Sequence, residues 1–166
     1  HEHGFDSNKA LEPTRSILEQ AAQFAIETFG DDEENICAEF GTYHGRSLRV
    51  LDRRLPHNWQ LHGFDSFVGL PEQWRHEPAG SYSVTGDRGS ATGCFPGRAE
   101  LHAGWFNETS KPFAQRIIED GDALALLHVD CDLYSSARDC LRELAPLLQR
   151  GSIVLFDDFL AHETWR

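Results

Sequence analysis

The sequence predicts an α/β fold built on a doubly wound, mostly parallel sheet. Segments with helical spacing alternate along the chain with short apolar segments that read as strands, and five such strands are separated by helices or long crossovers. Each of the five strands ends in a glycine or a carboxylate, at the edge where sheets of this kind bind ligands.

The elements follow in order. Leu11 to Phe29 carries Ile17, Leu18, Ala21, Ala22, Ala25 and Phe29 at helical spacing, and Gly30 stops it. Glu34 to Phe40 reads as a short buried strand. Arg46 to Leu55 is a second helix, with Leu48, Leu51 and Leu55 on one face and Pro56 at its end. Trp59 to Phe64 is the second strand. From Ser66 to Arg98 six glycines and three prolines interrupt every period, which predicts a long, mobile loop with at most a short helix. Ala99 to Trp105 is the third strand and Pro112 to Glu119 a short helix. Ala123 to Val129 is an apolar run between acidic residues, as expected of a central strand buried on both faces. Ser135 to Leu148 is helical, Gly151 ends it, and Ser152 to Phe156 forms the last strand.

A length of 166 residues suits one domain over residues 1–166 and is too short for two. Fifteen Lys and Arg against 27 Asp and Glu give a net charge of −12, which excludes a phosphate-tracking nucleic-acid surface and suits a small ligand or metal ions. No apolar run reaches the roughly 20 residues of a membrane span, and no basic-then-apolar stretch at the start reads as a signal peptide. Cys37, Cys94, Cys131 and Cys140 show no zinc-ligand spacing, so a reducing, cytoplasmic setting is expected. Methionine is absent throughout, which reads as a processed or excised segment.

The strand ends carry the chemistry. Glu39-Phe-Gly41-Thr-Tyr-His-Gly45 joins the first strand to a helix. Gly41 allows a sharp turn, and Gly45 is expected to let the backbone approach a ligand. The third glycine of a dinucleotide loop is absent, and Glu39 would oppose a pyrophosphate while suiting an amino group. An amino-acid-bearing cofactor such as S-adenosylmethionine fits this loop better than NAD. Asp65 ends the next strand, where an acidic residue holds ribose hydroxyls, with Ser66 beside it; an Asx turn at Asp65 is the plainer alternative.

Asp130-Cys131-Asp132 follows the fourth strand and Asp157-Asp158 the fifth. Residues i and i+2 of a strand share a face, so Asp130 and Asp132 are expected to point into one cleft. Four carboxylates in one place raise each other's pKa, and a hard divalent cation such as Mg²⁺ relieves that repulsion. Helix capping is the alternative role for any one of them. His44, His62, His128 and His162 lie near strand ends or adjoining loops and receive no role. Trp74 and Tyr82 suit an acceptor pocket or loop anchoring equally.

The segments AEFGTYHGRSL, GFDSFVGLPE, GWFNET, LLHVDCDLYSS and GSIVLFDDF resemble the macrocin O-methyltransferase family, in order and spacing, from about Leu11 to Phe159. That resemblance implies a Rossmann-like class I methyltransferase core and an enzyme that uses S-adenosylmethionine and Mg²⁺ to methylate a hydroxyl of a small, glycosylated metabolite. It also implies roles: Asp130, Asp157 and Asp158 as metal ligands, Asp132 as the general base, and Glu39, Gly41 and Asp65 around the cofactor. Methyl transfer from a sulfonium is an in-line displacement, and a metal-held sugar hydroxyl beside a carboxylate is deprotonated more easily. Members of that family continue past DDF with another helix and two strands, so a C-terminally shortened core with an exposed last strand is expected. Two other functions fit parts of the sequence. One is a non-catalytic cofactor- or metal-binding domain, compatible with a homo-oligomer, and the other is a glycosyltransferase using Asp130-Cys131-Asp132 as a DxD motif.

Overall fold

A computed structural model describes residues 7–84 and 95–157, with side chains from Arg15 onward. Five strands form one parallel sheet in the order β3-β2-β1-β4-β5. They are β1 (Asn35–Phe40), β2 (Gln60–Asp65), β3 (Glu100–Ala103), β4 (Ala123–Val129) and β5 (Leu148–Phe156). The helices are α1 (Ser7–Phe29), α2 (Arg46–Arg54), α3 (Phe106–Asp120) and α4 (Tyr134–Leu144), with a 3₁₀ turn at Ala145–Leu147. This is the doubly wound, Rossmann-like architecture that the sequence predicts. Strand order reverses between β1 and β4, so a crevice opens above their carboxyl ends.

Both central strands are buried on two faces, and their residues alternate between the faces, except that a bulge between Leu124 and Leu126 shifts the alternation of β4. Ile36, Ala38 and Phe40 of β1 join Leu124, Leu127 and Val129 of β4 against Phe113, Ala114 and Ile117 of α3 and Cys140 and Leu144 of α4. Cys37 joins Leu126 on the other face, with Leu18, Ala22 and Ala25 of α1 and Leu48 and Leu51 of α2. The alternation of a strand decides which side chain meets which helix layer. Glu39 and His128 have the parity of the α1/α2 face.

Several boundaries differ from expectation, and two of them have a clear physical cause. α3 begins at Phe106, and Pro112 lies inside it. The first turn forms because Trp105 caps it, its carbonyl accepting from the N–H groups of Glu108 and Thr109, while Phe106 packs edge-on against Phe40 at 5.0 Å. Tertiary anchoring here outweighs the helix-breaking tendency of proline. α4 ends at Leu144, and Leu148 already belongs to β5, because Pro146 has no N–H with which to continue the helix. In the long connection after β2, residues 66–84 contain no helix and fold back on themselves. Leu70 donates to the Ser81 carbonyl and Gly80 to that of Leu70, and Trp74 bridges Glu77. Gly86, Gly89, Gly93 and Cys94 lie outside the described residues.

β3 and β5 are the sheet edges among the described residues. No helix there is long and apolar enough to cross a membrane.

Candidate active site

A cavity of about 740 Å³ lies over the β1/β4 crevice. Gly41 and Tyr43 after β1, Asp65 and Ser66 after β2, and Asp130, Cys131 and Asp132 after β4 form its floor and walls. The segment from Gly69 to Tyr82 and the start of α3 close its sides. Its size is typical of small-molecule sites.

The glycine turn is shaped by a backbone collision avoided. A Cβ on Gly41 would stand 1.6 Å from the carbonyl oxygen of Asp130, and φ is +97°. Glycine is the residue that lets the β1 and β4 ends lie this close. Gly45 serves otherwise than expected. It does not line the cavity; an added Cβ would strike the Phe95 ring at 2.4 Å, so the close approach there is made by a side chain of the protein. Asp65 ties the turn together: its carboxylate accepts from the N–H of Tyr43 at 2.8 Å and of Phe67 at 2.7 Å. Burial pushes its pKa up against those two bonds. The Asx turn and the cavity wall are therefore the same residue. Ser66 also reaches the cavity, while its hydroxyl donates to the Gly69 carbonyl.

Glu39 does not line the cavity. It is wholly buried under the floor, where its Oε2 pairs with His128 Nδ1 at 3.0 Å. The parity that places Ala38 and Phe40 on one face turns Glu39 onto the other, beside its register partner His128.

The acidic end converges, for a different reason than strand alternation. β4 stops at Val129, and Asp132 has φ +60°, so a left-handed bend brings Asp130 and Asp132 to the same cavity. The i, i+2 argument fails there because those residues are no longer a strand. One carboxylate oxygen of Asp130, one of Asp157 and a ring nitrogen of His128 lie within 4.8 Å of one another. Burial first, and the Asp157 charge second, push Asp130 up to about 8. A carboxyl held so far above its usual range beside a second carboxylate and an imidazole is a donor set that fits a divalent cation. Asp158 and His162 lie outside the described residues.

A second group, His62, Glu100 and His102, meets the same distance condition. None of the three lines the cavity, and Arg116 sits among them, donating to Glu100 at 2.8 Å with its other amino nitrogen 3.2 Å from His62 Nδ1. A fixed guanidinium there opposes a metal ion.

A family model described as a methyltransferase domain matches residues 38–159. The chain belongs to this methyltransferase domain family. The match includes Asp130 to Asp132, which sets aside the DxD glycosyltransferase alternative. The fold of the methyltransferase domain is similar to that of CalS11, a calicheamicin methyltransferase, with a TM-score of 0.70 and 23% identity over 90% of this chain and 66% of that one. An apo structure of CalS11, described as a TDP-rhamnose 3'-O-methyltransferase of calicheamicin biosynthesis, gives 0.63 and 21% over 92% and 66%. The chain thus spans 66% of the length of those structures. No curated protein matches it.

Several wall residues of the methyltransferase domain escaped the sequence reading. Tyr43, Trp105 and Phe106 line the cavity, as do Glu72, Ser135 and Asp139. Trp105 ends the expected third strand and Phe106 follows it, so their position was a usable signal. Trp74 and Tyr82 both face the cavity and also pack edge-on at 6.5 Å, with Tyr82 against Tyr43 at 5.9 Å. They act as wall and anchor at once. Ser135 donates to Glu72, joining the loop to the start of α4. Nothing local in the sequence announces that contact.

Proposed function

We propose that this methyltransferase domain is the core of an S-adenosylmethionine-dependent, Mg²⁺-dependent O-methyltransferase of the macrocin type, acting on a sugar hydroxyl of a small glycosylated metabolite. The observation that carries this reading is one cavity bounded by the Gly41–Asp65 turn on one side and by Asp130 and Asp132, next to Asp157, on the other. The CalS11 likeness supports a sugar acceptor, and the acidic cluster supports a cation.

When bound, the cofactor supplies an electrophilic methyl group and the cation supplies positive charge beside the acceptor oxygen. The backbone at Gly41 would lie beside the cofactor's amino-acid end in the cavity wall, and the Asp65 carboxylate would accept from its ribose hydroxyls. Asp130 and Asp157, with Asp158 as the expected third carboxylate, hold the cation. Asp132 stands on the same wall and takes the proton from the acceptor hydroxyl. Tyr43, Trp74, Tyr82 and Trp105 give the apolar surface that orients the acceptor and displaces water.

Calorimetry with S-adenosylmethionine and NAD, followed by methyl transfer to nucleotide sugars with and without EDTA, tests the reading. Binding of S-adenosylmethionine and EDTA-sensitive transfer are expected. Binding of NAD alone would end the proposal. Cofactor binding without turnover on any sugar would leave a non-catalytic binding domain in its place.

A further inference from the structure

The proposed mechanism uses Asp130 and Asp157 and leaves two buried polar side chains without a purpose. Glu39 and His128 are both 0% exposed and joined by a 3.0 Å hydrogen bond. Each keeps one atom without a hydrogen-bond partner: Oε1 of Glu39 and Nε2 of His128. Leaving a polar atom unsatisfied in the interior is destabilising, more so for a charged group. Cys37 and Leu126, two residues earlier on the same face of each strand, show that apolar side chains fill this layer readily.

The ring of His128 borders a place where two carboxylates meet. A ring nitrogen of His128 and one oxygen each from Asp130 and Asp157 lie within 4.8 Å of one another. Ligands on opposite sides of a cation, with bonds of 2.0–2.2 Å, stand about 4.2 Å apart. Three ligands cannot all stand opposite one another, so neighbours lie closer still, and a closure of about an ångström brings all three into one coordination sphere. Nδ1 is committed to Glu39, so Nε2 is the nitrogen left for an ion. A carboxylate that accepts from the far nitrogen of a metal-bound imidazole fixes its tautomer and its aim, and that is the place Glu39 holds.

We propose that His128 is a nitrogen ligand of the cation held by Asp130 and Asp157, that Glu39 is its positioning residue, and that the site consequently binds a later first-row ion such as Co²⁺ more tightly than the Mg²⁺ of the proposed reaction. The inference rests on the reading of Asp130 and Asp157 as a cation site and goes further by naming a nitrogen donor and the class of ion. Mg²⁺ favours an all-oxygen shell, whereas imidazole favours the later first-row ions. It also turns Glu39 from a cofactor contact into a support beneath the metal.

The test is pulsed electron paramagnetic resonance on the full chain loaded with Mn²⁺ as the spectroscopic probe, together with competition of Co²⁺ against Mg²⁺. The expected results are a ¹⁴N coupling from a directly bound imidazole and a preference for Co²⁺ over Mg²⁺ of roughly tenfold or more. His128→Asn should remove the coupling. Glu39→Gln should keep it while weakening Mn²⁺ binding by about 10–100-fold. Mn²⁺ bound without ¹⁴N coupling, or with a coupling that survives His128→Asn, overturns the role of His128 and leaves the carboxylate site standing. No ion bound by the unmodified chain overturns both. The decisive spectrum is that of the unmodified chain, so a variant that fails to fold does not remove the test.

Discussion

Gly41 and Asp130 touch backbone to backbone: a methyl group on Gly41 would lie 1.6 Å from the Asp130 carbonyl oxygen, while the Asp130 N–H donates to the Phe40 carbonyl at 2.9 Å. The proposed cofactor turn and the proposed cation site therefore share one rigid joint. Gly41→Ala must push the β4 end away and hold a left-handed backbone. The first effect costs about 1–3 kcal/mol and the second about 1–2 kcal/mol. Urea denaturation should show the loss of stability. Calorimetry should show S-adenosylmethionine and metal binding weakened together, and loss of only one would break the link between them.

Asp65 holds two backbone N–H groups, those of Tyr43 and Phe67, with its two carboxylate oxygens. Asp65→Asn keeps one acceptor oxygen and turns an NH₂ group toward the other donor. A hydrogen bond to a charged group contributes about 1.5–3 kcal/mol, so a stability loss near the lower figure is expected. Cofactor affinity should fall with it, because the Tyr43 turn relaxes. Unchanged affinity in calorimetry would take Asp65 out of the cofactor site.

Asp132 stands in the cavity wall with φ +60°. Asparagine tolerates this backbone region about as well as aspartate, so Asp132→Asn leaves the bend in place while removing the proton acceptor. As the general base, its loss should lower kcat by about 10²–10⁴-fold with cofactor and metal affinity retained. Steady-state kinetics beside calorimetry separates that outcome from a simple binding defect.

His62 makes the protein sensitive to acid at a place remote from the cavity. Its side chain is 2% exposed, and burial, then the neighbouring Arg116 guanidinium, push its pKa down to about 4, against the opposing pull of Glu100. Burial lowers His102 as well. A histidine whose folded pKa lies below its unfolded value binds fewer protons when folded, so stability rises with pH across that interval. Stability should thus be lost as pH falls from about 6.5 to about 4, by on the order of 3 kcal/mol for His62. His62→Gln should flatten that part of the stability–pH curve, followed by chemical denaturation at several pH values. An unchanged slope would assign the acid sensitivity elsewhere.

The strands were legible because their apolar runs are local: Ala123–Val129 matches its expected span, and the other four differ by a few residues. Gly41, Asp65, Asp130 and Asp132 were legible as residues that end strands, since a parallel sheet gathers its strand ends at one edge. The start of α3 was not, because it depends on Phe106 meeting Phe40. Neither was the role of Gly45, which depends on Phe95 arriving from 50 residues away.

Periodicity and punctuation in the sequence determined an α/β sheet with its glycines and carboxylates along one edge, because both depend on neighbours within a few residues. Tertiary structure alone decided that Glu39 turns away from the cavity to meet His128, 89 positions along the chain. That choice follows from the register of β1 against β4 and from the parity of their buried faces. It is set by which side chains the two helix layers exclude from water, a property of the assembled sheet and of no single segment.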